Sequence, residues 1–453
     1  MLGREVSTAG LLLATLFLSA EARSDEQARQ ADTVVVETFT RAGIFRHFDF
    51  NRDNKLNNSE RVALRKTFGR LDIPLLPTTP YHYAVAEIPK HISSSELQKR
   101  DNTPQDNPTT DTGAALGRVL FYDRQLSRNN KIACASCHRQ ENAFSDPRQF
   151  SLGFKNGSTT RNAMSLANLR YTIHQGARPG FFWDERAATL EAQALMPIQD
   201  KVEMGMKLED LEKKLQKLPY YPPLFEAAFG SQEVTSDRIS QAIAQFMRSL
   251  VSFNSRFDSA ASATDGDGYS EDFDGFTAEE NLGKSLFING VANIGEIGCA
   301  HCHVPPTFNM PKSFNTGLDL TYRDRGLGAR DVPTNDPFTP NNDGKFKTPS
   351  LRNIALTAPY MHDGRFKTLE RVIEHYSDGV HPHVNLGLAV GEPSADPSKT
   401  SGFRLTAAQK SALVAFLKTL TDQTYVTDPR FSDPFIRLAD EERQSERTSL
   451  SCE

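Results

Sequence analysis

The chain has 453 residues and a formal net charge of −5. That length accommodates two or three domains at roughly 100–200 residues each, and the mildly acidic balance lacks the basic footprint of a nucleic-acid-binding protein. With 38% hydrophobic and 24% charged residues, the composition is that of a globular chain rather than a disordered or membrane-embedded one.

Residues 1–22 read as a signal peptide. Arg4 supplies a positive start, Ala9 to Ala20 form an apolar run too short to span a membrane, and Ala20-Glu21-Ala22 fits small-x-small cleavage. Export to the periplasm, maturation at Arg23 and no membrane span are expected. In segment 23–75, FDFNRDNKLNNSERVAL sets Asp49, Asn51, Asp53, Lys55 (through its carbonyl), Asn57 and Glu60 at loop positions 1, 3, 5, 7, 9 and 12 of an EF-hand. Leu56 is the apolar anchor, and Asn54 replaces the usual glycine with a residue that tolerates the left-handed turn. Calcium is expected there; the alternative is a loop that binds nothing. Residues 76–112 read as a linker.

Four of the five cysteines form two Cys-x-x-Cys-His motifs: Cys134, Cys137, His138 and Cys299, Cys302, His303. This is the attachment signal for c-type haem: two thiols bind the porphyrin and the next histidine is the proximal iron ligand. A zinc ribbon would bring its pairs close together, whereas these start 299 − 134 = 165 residues apart. A thioredoxin-like pair has no need of the histidine. Each motif ends a similar stretch, LGRVLFYDRQLSRNNKIACASCH from Leu116 and LGKSLFINGVANIGEIGCAHCH from Leu282. The expected fold is therefore mainly α: two cytochrome c-like haem domains packed together, at 113–260 and 276–430, preceded by the small helical EF-hand-like segment. The Asp- and Gly-rich stretch 261–275 reads as the interdomain linker, and 431–453 as a tail in which Cys452 is an incidental thiol.

Past the second motif, YMHDGRFKTLERVIEHYSDG offers five side chains able to bind iron: Tyr360, Met361, His362, His375 and Tyr376. A helix is expected from Thr368, its N-cap, to Ser377, with Gly379 just beyond. Leu369, Val372, Ile373 and Tyr376 then form one apolar stripe, and His375 is turned about 100° from it. Tyr376 is the iron ligand this pattern favours; the alternative is a hydrogen-bonded core tyrosine. Tyr360, Met361 and His362 precede the helix and are expected to shape the pocket wall.

Two haem units in this order, with FFWDERAATLEAQALMPIQDKVEMGM between them and KTPSLRNIALTAPYMHDG after the second, resemble the bacterial dihaem cytochrome c peroxidases. The resemblance runs from about Gly113 to Leu420. It implies two covalent c-type haems, the N-terminal one reacting with hydrogen peroxide and the C-terminal one transferring electrons. It also implies catalytic roles for Glu203 (acid–base), Gln193 and Pro197 (pocket lining) and Trp183 (the bridge between haems). A calcium ion between the domains is implied at Asn168, Thr357 and Pro359. Phe154 stands where ordinary members have a distal histidine, and Tyr376 where they have methionine; both departures are shared with the MauG-like branch. The resemblance thus implies an enzyme that spends oxidising equivalents on a partner protein. A conventional peroxidase fed by a small electron-donor protein and a non-catalytic electron-transfer cytochrome are the alternatives; oligomeric state is left open.

Overall fold

The computed structural model describes residues 59–60, 63, 72–172, 180–264, 269–290, 298–334, 337–399 and 401–437. The signal peptide, the EF-hand positions other than Glu60, His174 and Cys452 lie outside them. Two hydrophobic cores organise the described chain. The first is built on α1 (Asp111–Tyr122), α2 (Leu190–Gln199) and α3 (Ser236–Ser249). The second is built on α4 (Ala278–Asn289), α5 (Leu369–Glu374) and α6 (Ala407–Thr419). All six helices start at a threonine whose hydroxyl accepts a backbone N–H of the first turn: Thr110, Thr189, Thr235, Thr277, Thr368 and Thr406. Each such cap is worth about 1 kcal/mol. Among the described residues the only strands are two short antiparallel ribbons, Ile73–Pro74 with Phe435–Ile436 and Ser313–Phe314 with Phe346–Lys347.

The repeat seen in the sequence is a repeat of helix crossings. A Cβ on Gly117 of α1 would run into the Ala242 carbonyl of α3, and one on Gly283 of α4 into the Ala412 carbonyl of α6. Only glycine lets the backbones approach this closely. Four residues on, Phe121 meets Phe246 with ring centroids 5.2 Å apart, and Phe287 meets Phe416 at 5.1 Å. The basic residue of the repeat is buried in both units and ties in a neighbouring segment. Arg118 donates to Ser432 O at 2.7 Å, and Lys284 to Tyr269 O at 2.8 Å.

The repeat continues past the haem motifs. Phe144 and Phe308 are fully buried at φ 59° and 53°, an unfavourable backbone region for a bulky residue. Asn168 in SLAN and Asn353 in SLRN are both buried at φ 58° and 61°.

The segment boundaries differ from the sequence reading in three places. The stretch 261–275 is not a free linker: the helix Arg256–Ala263 runs into it, and Phe273 and Phe276 beyond it are buried in the second core. Aromatic side chains within an acidic stretch fold it against the protein. The chain end also returns to the first unit, where Tyr425, Phe431 and Phe435 enter the first core. Residues 76–112, read as a linker, likewise contain the helix Ser94–Arg100 and buried Tyr83, Ile92 and Leu97.

Candidate functional site

Each Cys-x-x-Cys-His motif folds as a single tight turn at the mouth of a cavity. In the first, His138 Nδ1 lies 2.9 Å from the Phe144 carbonyl. In the second, His303 Nδ1 lies 3.2 Å from Phe308 O and 3.1 Å from Pro349 O. A proton on Nδ1 shared with these carbonyls leaves the Nε2 lone pair for a metal. Burial lowers both imidazoles, His303 to about 4, so both are held neutral as ligation requires. The strained Phe144 and Phe308 turns are what aim those carbonyls.

The first cavity brings Cys134, Cys137 and His138 together with Gln193, Pro197 and Glu203. Gln193 and Pro197 are one turn apart on α2 and share its cavity face. Pro197 has no N–H to bond the Gln193 carbonyl, so its ring can sit mid-helix only with that bond given up. Gln193 Oε1 is buried without a hydrogen-bond partner among the described residues. Glu203 sits on a turn in which Asp200 Oδ1 accepts Val202 N at 2.7 Å and Glu203 N at 3.0 Å. Burial chiefly, and then the Asp200 charge, push the Glu203 carboxyl up to about 7, against an opposing pull from Arg186. A carboxyl near neutrality in a closed pocket can both accept and return a proton.

His138 is the only histidine lining this cavity among the described residues. Phe154 is buried beside it rather than in it. Its ring packs on Gly205, and its N–H donates to Glu203 O at 2.9 Å, so it braces the turn that carries Glu203.

The second cavity holds Cys299, Cys302, His303 and Tyr376. Leu369, Val372, Ile373 and Tyr376 all line it, as the helical stripe predicts, while His375 is buried outside it with Nε2 2.9 Å from Thr316 O. The helix is not uniform, however: α5 ends at Glu374 and continues as a π-turn over His375–Gly379. Such single turns recur where a helix must re-aim a side chain. Burial, and then the nearby cysteine thiols, raise the Tyr376 phenol above its ordinary value; an iron bound there would have to displace its proton. Tyr360, Met361 and His362 are on the wall, Tyr360 with its hydroxyl on Ile354 O at 3.0 Å.

Trp183 links the units. Its indole N–H donates to Asn162 O at 2.9 Å, and its own carbonyl accepts Lys347 N at 2.8 Å. It lines the second cavity together with Asn162, Ala163 and Met164 of the first unit. His362 lies edge-on to it at 6.5 Å and stacks on Phe346 at 3.6 Å. Sequence reasoning did not single out Asn162 or Phe346, which carry no motif of their own, nor give a role to Lys347, which opens the KTPSLRN stretch.

The residues expected to share a calcium ion are not gathered together. Thr357 and Pro359 line the second cavity, but Asn168 does not. Its Oδ1 accepts Ser252 N at 2.8 Å and its Nδ2 donates to Ser252 O at 3.0 Å, so both ends of the carboxamide are occupied. Asn168 is instead the first unit's counterpart of Asn353, which bonds Ser252 Oγ at 2.9 Å. Asn162, by contrast, lines the second cavity together with Thr357 and Pro359.

A helical two-unit chain with two haem-attachment turns, each backed by an oriented histidine, is a dihaem c-type cytochrome in architecture. The model of the di-haem cytochrome c peroxidase family matches residues 111–266 and 277–388. The chain is 34% identical over 322 residues to the methylamine utilization protein MauG of Methylorubrum extorquens, covering 70% of this chain and 80% of that one. It is 35% identical over 325 residues to the cytochrome c551 peroxidase of Nitrosomonas europaea, covering 71% and 83%. A solved structure of a MauG-like protein associated with microbial copper homeostasis superposes with a TM-score of 0.61 at 34% identity, covering 77% and 99%. The chain belongs to the dihaem cytochrome c peroxidase superfamily, in its MauG-like branch, and is a haem-dependent oxidoreductase. Membership implies two c-type haems, and both motif turns fit them. No described helix is long and apolar enough to cross a membrane.

Proposed function

We infer that this is a periplasmic enzyme that reduces hydrogen peroxide at the first cavity and spends the oxidising equivalents on a partner protein. The observation that carries the reading is the convergence of Glu203 and the unpartnered Gln193 Oε1 on the cavity behind His138, with no second histidine lining it among the described residues. The haem there supplies the iron that binds and reduces peroxide. Glu203 takes the proton of an incoming peroxide and returns it to the leaving oxygen. Gln193 Oε1 would accept a hydrogen bond from the peroxide O–H and so orient it, and Pro197 adds an apolar wall to the pocket. Phe154 holds the Glu203 turn in register.

Trp183, anchored at both ends, is the bridge by which the second cavity would share the oxidising equivalents, and Tyr376 and His303, which line that cavity, would hold its iron. An anionic oxygen ligand favours the oxidised states of an iron, which suits storage of oxidising power over simple relay. An interdomain calcium remains part of this reading, held by the Thr357 and Pro359 carbonyls with Asn162 Oδ1 in place of Asn168. The EF-hand of Asp49, Asn51, Asp53, Lys55, Asn57 and Glu60 would hold a second ion.

The test is peroxide titration of the as-purified ferric protein, followed spectroscopically. Immediate two-electron oxidation without prior reduction is expected. A requirement for half-reduction would favour the second reading, a conventional peroxidase, to which the likeness to the Nitrosomonas enzyme lends weight. No reaction at all would leave an electron-transfer cytochrome.

A further inference from the structure

The second cavity contains one feature that neither the ligand set nor the bridge uses. Lys347 is 6% exposed and lines the cavity. It is the only lysine or arginine among the lining residues, and no aspartate or glutamate lines the cavity with it. Among the described residues its ammonium makes no hydrogen bond or ion pair. The carboxylate that acts on it electrostatically is Glu185, which stays beyond ion-pair distance and is held by Ser313 Oγ at 2.5 Å. Three other buried cations of the fold are all partnered. Arg248 pairs with Glu191 at 2.7 Å, Arg352 with Asp258 at 2.6 Å, and Lys284 is capped by carbonyls. A cation taken out of water without an anion costs several kcal/mol. An apolar cavity that keeps one is built for an anionic ligand.

We propose that Lys347 is the binding residue for a haem propionate at the Cys299/Cys302 site, and that it places that carboxylate at the Trp183 end of the cavity. The placement follows from the backbone: the Lys347 N–H is bonded to the Trp183 carbonyl and both residues line the cavity, so the lysine is rooted on the same wall as the bridge. The first cavity has no counterpart among the described residues, none of its lining residues being a lysine or arginine. The pair would therefore act on one haem only. A fixed positive charge beside a propionate offsets that group's negative charge at the iron and raises the reduction potential. This partly opposes the tyrosine ligand and sets the second haem's potential independently of the first. The inference rests on a haem being attached at Cys299 and Cys302, and the experiment separates that premise from the role of Lys347.

The full holoprotein and its Lys347→Met and Lys347→Arg variants are compared for haem content, for the midpoint potentials of both haems, and for thermal unfolding. Fewer than two haems per wild-type chain would remove the premise itself. With two haems present, Lys347→Met is expected to shift the midpoint of the second haem downward, to leave the first unchanged, and to lower Tm. Lys347→Arg is expected to keep the midpoint near wild type. An unchanged midpoint in Lys347→Met overturns the proposal, as does a higher Tm, the result of deleting a buried cation that has no partner. Should Lys347→Met not accumulate, the resonance Raman propionate bending bands of wild type and Lys347→Arg decide: one component must shift, and identical bands overturn the proposal.

Discussion

The two haem cavities are built on the same frame and furnished in opposite ways. Both units set a glycine into a helix crossing, a phenylalanine pair beside it, a strained phenylalanine carbonyl behind the proximal histidine, and a left-handed asparagine after a Ser-Leu pair. The cavities differ in charge. The first is lined by a single ionisable carboxyl, Glu203, and the second by two tyrosines, Tyr360 and Tyr376, and a lone lysine. The shared frame fits a haem; under the proposed function, the few charged and polar side chains inside it would decide whether the iron meets peroxide or stores charge.

The largest expected effect breaks this asymmetry at its chemical end. Replacing Glu203→Gln keeps the shape of the turn and removes the proton carrier, and the peroxide reaction is expected to slow by about 10²–10⁴-fold. Stopped-flow spectroscopy measures this, and an unchanged rate would end the acid–base assignment. The wild-type rate also has a predicted pH profile. The carboxyl is raised to about 7, and the form that accepts the peroxide proton is the ionised one. The rate therefore rises with pH through about 7 and levels off above it. In Glu203→Gln that inflection disappears.

The frame itself is tested by paired substitutions that should act alike in the two units. Gly117→Ala and Gly283→Ala each push a methyl into a backbone carbonyl of the facing helix, Ala242 or Ala412, which cannot move aside as a side chain could. Each is expected to destabilise by about 1–3 kcal/mol or more, measured by denaturant unfolding. A large loss in one unit and none in the other would mean that the crossing is not a common design. Asn168→Ala and Asn353→Ala form a second pair, each expected to cost about 1–3 kcal/mol through lost buried hydrogen bonds. Calcium content should be unaltered in Asn168→Ala and reduced in Asn162→Ala if Asn162 is the ligand beside Thr357 and Pro359.

How much of this was legible beforehand follows from the range over which each signal acts. The haem turns, the helix repeat and the stripe ending at Tyr376 are local patterns of fixed spacing, and all are realised in the fold. The second half of the helix crossing was also written in the chain, as AIAQF at 242–246 and ALVAF at 412–416. It goes unnoticed because each lies more than a hundred residues from its partner glycine. Asn168 and Asn162 illustrate a different failure. Two asparagines a few residues apart are equivalent in type, and only the hydrogen bonds to Ser252 show that the former is structural. The return of Phe431 and Phe435 to the first core, and the empty surroundings of Lys347, are long-range facts with no local pattern at all.

The smallest predicted effect is the most specific to Glu203. Asp200 does two things to that residue: its Oδ1 accepts the Val202 and Glu203 N–H groups, and its charge adds to burial in raising the Glu203 carboxyl. Asp200→Asn separates them, because an asparagine oxygen can cap the same two N–H groups while carrying no charge. The plateau rate at high pH is expected to stay near wild type, since the turn is preserved. The inflection is expected to move to lower pH, yet to stay above 4.5, because burial is the larger cause and is untouched. An inflection that stays in place would show that the titrating group in the profile is not Glu203. A collapsed plateau would show that the cap matters more than the charge, and that the first cavity depends on the geometry of a turn rather than on its electrostatics.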